Sequence, residues 1–180
     1  MGLERAIRWF AIVAMMGGVL RICSSIAPYF IPKLELEYLY TATELSLMMG
    51  LIGIFLGQAN RINTVGFCGA SLAILAFGLI AGPDAYLQGV NTYVVGGPLI
   101  GVGLLLYSAA QLQGRVVHIS APLLVIFSMV AGAGYLAAPD FKLLTIMQGM
   151  TLGLAFIING WSVFHQLSRS AGPVAEPLYQ

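Results

Sequence analysis

Long apolar runs alternate with short polar or Pro/Gly-containing breaks along the whole chain. The runs cover 9–30, 38–56, 64–81, 94–112, 117–137 and 143–167. Each is close to the roughly 20 residues a helix needs to cross a bilayer. None keeps the strict two-residue alternation of a half-buried strand, so the pattern predicts six membrane-spanning helices. The breaks are chemically distinct. Pro28 and Pro32 interrupt the first, Gln58, Asn60, Arg61 and Asn63 the second, Gly82, Pro83 and Asp84 the third, and Pro139 with Asp140 the last. The pattern therefore predicts an all-α integral membrane protein, with a single six-helix transmembrane domain over 1–167. Its helices form three consecutive helical hairpins at 9–57, 64–113 and 117–167. The remaining 168–180, with Pro173 and Pro177, has little apolar content and reads as a flexible cytoplasmic tail.

Composition strengthens this reading. Hydrophobic residues make up 59% of the chain and charged ones 8%, against about 25% charged residues in ordinary soluble domains. The lead from Met1 to Arg8 and the first apolar run do not read as a cleaved signal peptide, because Arg21 interrupts the run and no small-residue cleavage site follows. A net charge of +1 with eight scattered Lys and Arg residues excludes a nucleic-acid surface. The placement of those cations carries information of its own. Arg5, Arg8, Arg61, Arg115 and Arg169 lie on the side of the termini, while the opposite loops carry only Lys33 and Lys142, so both termini are expected in the cytoplasm. The expected location is a plasma membrane, the bacterial inner membrane, crossed several times.

The chain also carries an internal period. Arg8, Arg61, Arg115 and Arg169 are 53, 54 and 54 residues apart, one hairpin length each. The opposite turns begin Ala27-Pro28, Gly82-Pro83 and Ala138-Pro139, with spacings of 55 and 56 residues. Three parallel repeats around an axis normal to the membrane would produce this, as would any six-helix protein with short loops.

Arg21 and Glu44 are the only charges deep in the apolar runs. Each costs about 2.5–3.5 kcal/mol in mid-membrane on insertion scales, and a guanidinium and a carboxylate at similar depth on adjacent helices are expected to pair, with a bidentate fork available. Ser24 and Ser25 share the Arg21 face, and Tyr40 and Thr41 share the Glu44 face. Together these six residues outline an external cleft for a small polar or anionic solute, with Glu44 able to exchange protons. The simpler reading is a buried ion pair that fixes helix register.

Other candidates are sparser. His118 and His165 lie near inner helix ends and offer a haem alternative, against the plainer reading of two interfacial histidines. The methionines have no Cys or His at ligand spacing, so no metal site is expected, and no cofactor. Asn159 and Gln148 are the other deep polar groups and are expected to bond to neighbouring helices. Gly53/Gly57, Gly78/Gly82, Gly97/Gly101 and Gly149/Gly153 are pairs that let helices approach, within the chain or against a partner. No zinc-protease, phosphate-loop or nucleophile-elbow motif is present, so no enzyme is expected. Two functions remain. The leading one is a small non-enzymatic accessory or packing subunit of a membrane assembly, in contact with lipids and with another membrane protein or a second copy. The other is a small-solute or proton-linked carrier using the cleft around Arg21 and Glu44.

Overall fold

The structure is a computed structural model and describes residues 2–81, 86–87, 90–137 and 140–170. Within them lie six α-helices: α1 Leu3–Ile26, α2 Lys33–Gln58, α3 Thr64–Ile80, α4 Thr92–Gly114, α5 Ser120–Ala137 and α6 Leu143–Ser170. Short 3-10 turns at Ala27–Tyr29 and Ala59–Arg61 close α1 and α2. A minimal antiparallel ladder, β1 Tyr86–Leu87 with β2 Val90–Asn91, precedes α4. Nothing in the apolar pattern foreshadows that ladder.

Four helical segments are long and apolar enough to cross a membrane: Leu3–Tyr29, Glu35–Arg61, Thr92–Gly114 and Leu143–Arg169. α3 and α5 are apolar but shorter. The 17 residues of α3 extend about 25 Å, below the roughly 30 Å of a bilayer core.

Several element ends differ from the expected ones, for local reasons. The charged lead is not separate, because α1 starts at Leu3 and buries Ile7. Arg8 then donates from Nη2 to the carbonyl of Leu167 at 2.6 Å, capping the last turn of α6 with a cation. Lys33 opens α2 instead of lying in a loop. Helix α6 runs on to Ser170, so 168–170 belong to it and not to a tail; the rest of the expected tail, 171–180, lies outside the described residues, as do the Gly82-Pro83-Asp84 and Ala138-Pro139 breaks. Helix α4 ends where Arg115 turns left-handed at φ 47°. Its N–H reaches the carbonyls of Gln111 and Leu112, and the N–H of the buried Val116 also returns to Gln111. This closure consumes the orphan carbonyls of the helix and delays α5 to Ser120, three residues later than expected.

Packing follows the glycines. α1 runs along α6 and α2, α3 along α4, and α5 along α6, while α2 meets α3 and α4 meets α5 over shorter seams. A side chain at Gly18 would stand 2.5 Å from the carbonyl oxygen of Gly153, and one at Gly69 2.7 Å from that of Gly103. Only glycine permits these backbone approaches of α1 to α6 and of α3 to α4, and in lipid such close packing is what holds helices together. The centre is filled by Leu47, Leu51 and Ile54 from α2, Leu104 from α4, and Leu152 and Phe156 from α6. Val19, Leu75, Val94 and Val130 point outward and remain exposed.

Candidate functional site

Both deep charges sit mid-helix, where the backbone is already hydrogen-bonded, so only their side chains need partners. Arg21 on α1 donates from Nη2 to Oε1 of Gln148 on α6 at 2.7 Å. Its Nε is buried with no partner among the described residues. Glu44 on α2 is 8% exposed and accepts from the phenol of Tyr93, in the first turn of α4, at 3.0 Å to one oxygen and 3.2 Å to the other.

The expected fork between Arg21 and Glu44 is not formed, since each charge is hydrogen-bonded to a different neutral partner. The rotation of α1 explains this. Gly18 packs on Gly153 and Ser25 on Gly149, which turns the Arg21 face toward α6, whereas Gly17, Ala14 and Phe10 are among the α1 residues that meet α2, at Leu47, Gly50 and Gly53. Glu44, Tyr40 and Tyr93 all remain within electrostatic range of Arg21. The two charges therefore face one region without neutralising one another by contact.

Three of the remaining expected lining residues, Ser24, Ser25 and Thr41, spend their hydroxyl protons on their own helices. Ser24 donates to the carbonyl of Arg21 at 3.0 Å, Ser25 to that of Ile22 at 2.7 Å, and Thr41 to that of Glu37 at 2.9 Å. Such back-bonding hides the donors in apolar surroundings and leaves lone pairs as the groups they offer. Ser24 and Ser25 are buried, and Tyr40 and Thr41 half-buried. Gln148 does bond to a neighbouring helix, with Arg21 as its partner. Tyr93 is the group that holds Glu44; the need of a buried carboxylate for a donor is the one signal the sequence offers for it.

A second polar cluster lies toward the other end of the same helices. The phenol of Tyr107 donates to Oε1 of Gln58 at 2.8 Å, and Nε2 of Gln111 donates to that oxygen at 2.9 Å and to Oδ1 of Asn159 at 2.9 Å. Asn159 returns its own amide to the carbonyl of Ala155 at 3.1 Å. All four side chains are buried. The expectation for Asn159 is met here through Gln111, but Gln58 reads in sequence as part of a polar connection, and Tyr107 and Gln111 carry no sequence signal beyond being polar in an apolar run.

His118 is exposed, with Nδ1 2.8 Å from the hydroxyl of Ser120, and His165 is exposed and stacked on Trp161 with ring centroids 6.0 Å apart. Each has a local partner, and this geometry adds nothing to the haem alternative. Cys23 and Cys68 are free and exposed. No group of three or more His, Cys, Asp or Glu side chains converges among the described residues. Two of the four small-residue pairs are spent inside the molecule, with Gly53 against Phe10, Gly57 against Val163, Gly149 against Ser25 and Gly153 against Gly18, whereas Gly97 has open space beside it. Comparison of the chain with known protein families, with curated proteins and with solved structures returns no match.

Proposed function

We propose that the chain is a multi-pass plasma-membrane protein of three helical hairpins, with both termini cytoplasmic, that binds and carries a small polar or anionic solute at the site around Arg21 and Glu44. The observation that carries this reading is the split of the two charges. A pair kept only to fix register would gain most from direct contact. Instead Arg21 makes one side-chain hydrogen bond, to a neutral amide, and keeps Nε unused, while Glu44 is held by a phenol. Intramembrane charges left this way cost free energy that a solute could recover. The accessory-subunit reading loses part of its support, because Gly53, Gly57, Gly149 and Gly153 already have partners within the chain.

The test uses the protein purified in its native lipids. Thermal stabilisation by acetate, acetamide and inorganic phosphate is measured for the wild type and for the double variant Arg21→Met with Glu44→Leu. The expected result is saturable stabilisation by at least one probe in the wild type, weaker in a folded double variant. Equal response in both proteins overturns the reading. Stoichiometric co-purification of another membrane protein, seen by native mass spectrometry without any probe response, returns the accessory role.

A further inference from the structure

α2, α4 and α6 repeat one order of side chains along their length. On α2 it runs Glu44, then Leu47, Leu51 and Ile54, then Gln58; on α4, Tyr93, then Ile100 and Leu104, then Tyr107 and Gln111; on α6, Gln148, then Leu152 and Phe156, then Asn159. Each helix thus contributes a polar group to an outer layer, apolar side chains to a middle layer and an amide or phenol to an inner layer. Along α2 the two polar layers are about 21 Å apart at 1.5 Å per residue. The middle layer is of the kind that gates polar species by excluding water.

The inner layer is incompletely satisfied. Nε2 of Gln58 and Oγ of Ser108 are buried with no hydrogen-bond partner among the described residues, and both residues are only 1% exposed. Ser108 precedes Gln111 by nearly one turn on α4, so both donors belong to the same end of the bundle. Buried polar groups are almost always paired, and an unpaired donor costs more than a pair returns. These two donors are also unreachable by water in this conformation, which means that the inner layer is shut. The seams suit its opening. α3 and α4 are locked together at Gly69 and Gly103, but meet α2 and α5 only over shorter seams. The α4 side chains bond across to α2 at both ends, through Tyr93 to Glu44 and through Tyr107 and Gln111 to Gln58. Tilting the α3–α4 pair would loosen one of these latches while keeping the other, the movement by which repeats rock around a fixed path.

We propose that the inner layer formed by Gln58, Tyr107, Ser108, Gln111 and Asn159 is a second binding station, taking a small uncharged polar solute on the free donors of Gln58 and Ser108 when the α3–α4 pair tilts. This rests on the carrier reading above and narrows its substrate class. The station contains donors and acceptors but no charge, so an anion reaching it would lose water without meeting a cation. An uncharged amide or hydroxyl compound would instead exchange one set of hydrogen bonds for another.

Acetamide and acetate, alike in shape and different in charge, are the probes. Binding is followed by saturation-transfer difference NMR on the protein in lipid nanodiscs, for the wild type, for Arg21→Met with Glu44→Leu, and for both after adding Ser108→Ala. Ser108→Ala removes a group that has no partner, so it leaves the fold intact. The expected result is acetamide binding that persists without the two charges and weakens roughly tenfold with Ser108→Ala, with no saturable acetate binding in the charge-free background. Failure of acetamide to bind the charge-free variant, indifference to Ser108→Ala, or acetate binding as well as acetamide in that charge-free background overturns the inner station. Should the double variant not fold, the same Ser108→Ala comparison in the wild type decides, and an unchanged acetamide affinity overturns the proposal. Failure of the outer reading looks different, as equal acetamide binding with and without the charges and a full Ser108→Ala effect in both.

Discussion

The outer and inner polar layers are tied across the same helices by hydrogen bonds of similar length, yet they are opposite in kind. In the outer layer, two ionisable groups each meet a neutral side chain, Arg21 on Gln148 and Glu44 on Tyr93. Inside, neutral groups form a chain in which Gln111 serves both Gln58 and Asn159 and so joins α4 to α2 and α6. A charge costs about 2.5–3.5 kcal/mol in mid-membrane on insertion scales, and a neutral interhelical hydrogen bond returns on average about 0.6 kcal/mol. The inner layer is therefore an inexpensive way to join three helices. The outer one costs more than a joint requires, whereas the inner one departs from a plain joint only at the unbonded donors of Gln58 and Ser108.

Gln111→Leu is the strongest test of the inner layer as a fastening. It deletes two bonds at once and strands the carbonyl oxygen of Asn159 in a buried position, so a loss of about 2–4 kcal/mol is expected in reversible unfolding from lipid–detergent mixtures. Tyr93→Phe tests the outer layer in the same way. It takes the phenol from Glu44, and a loss of about 1–3 kcal/mol is expected by the same assay. Glu44→Gln then asks whether the charge itself holds the helices. A glutamine keeps an oxygen for Tyr93, so the stability should change by no more than about 1 kcal/mol, whereas breaking a buried ion pair costs about 3–5 kcal/mol. A loss of that larger size would mean that Arg21 and Glu44 are in direct contact after all.

The helices were legible because apolar runs of bilayer length leave few alternatives, and Arg21 and Glu44 were legible because a charge in such a run is conspicuous. Their partners were not. Which way Arg21 points is decided by the Gly18–Gly153 approach, and helix rotation of that kind arises from packing between segments 135 residues apart in sequence. Gln58 was obscured for another reason. It is the last residue of α2 and adjoins Asn60 and Arg61, so its polarity reads as that of a loop, although it turns inward and is almost wholly buried. The small residues were visible as pairs, but sequence alone could not say whether the facing surface was another helix of the same chain. The element boundaries moved where side chains acted on backbone termini, as with Arg8 on α6 and the left-handed Arg115 after α4.

Ser108→Ala is expected to have the smallest effect on stability and an opposite sign. The hydroxyl is buried without a partner, so the closed protein carries its desolvation cost and receives no bond in return. Removing it should stabilise the solute-free protein by about 0.5 kcal/mol, whereas Tyr107→Phe, which removes a phenol bonded to Gln58, should destabilise it. An inner layer that served only as a fastening would have no reason to keep such a group, since alanine is among the commonest fillers of helix contacts and is already used at Ala110 on the same helix. Stabilisation by Ser108→Ala together with weaker acetamide binding would show that this residue is retained at a cost to the empty state. Destabilisation would mean that Ser108 is bonded in the folded protein, and the contrast between the two layers would then lose its inner half.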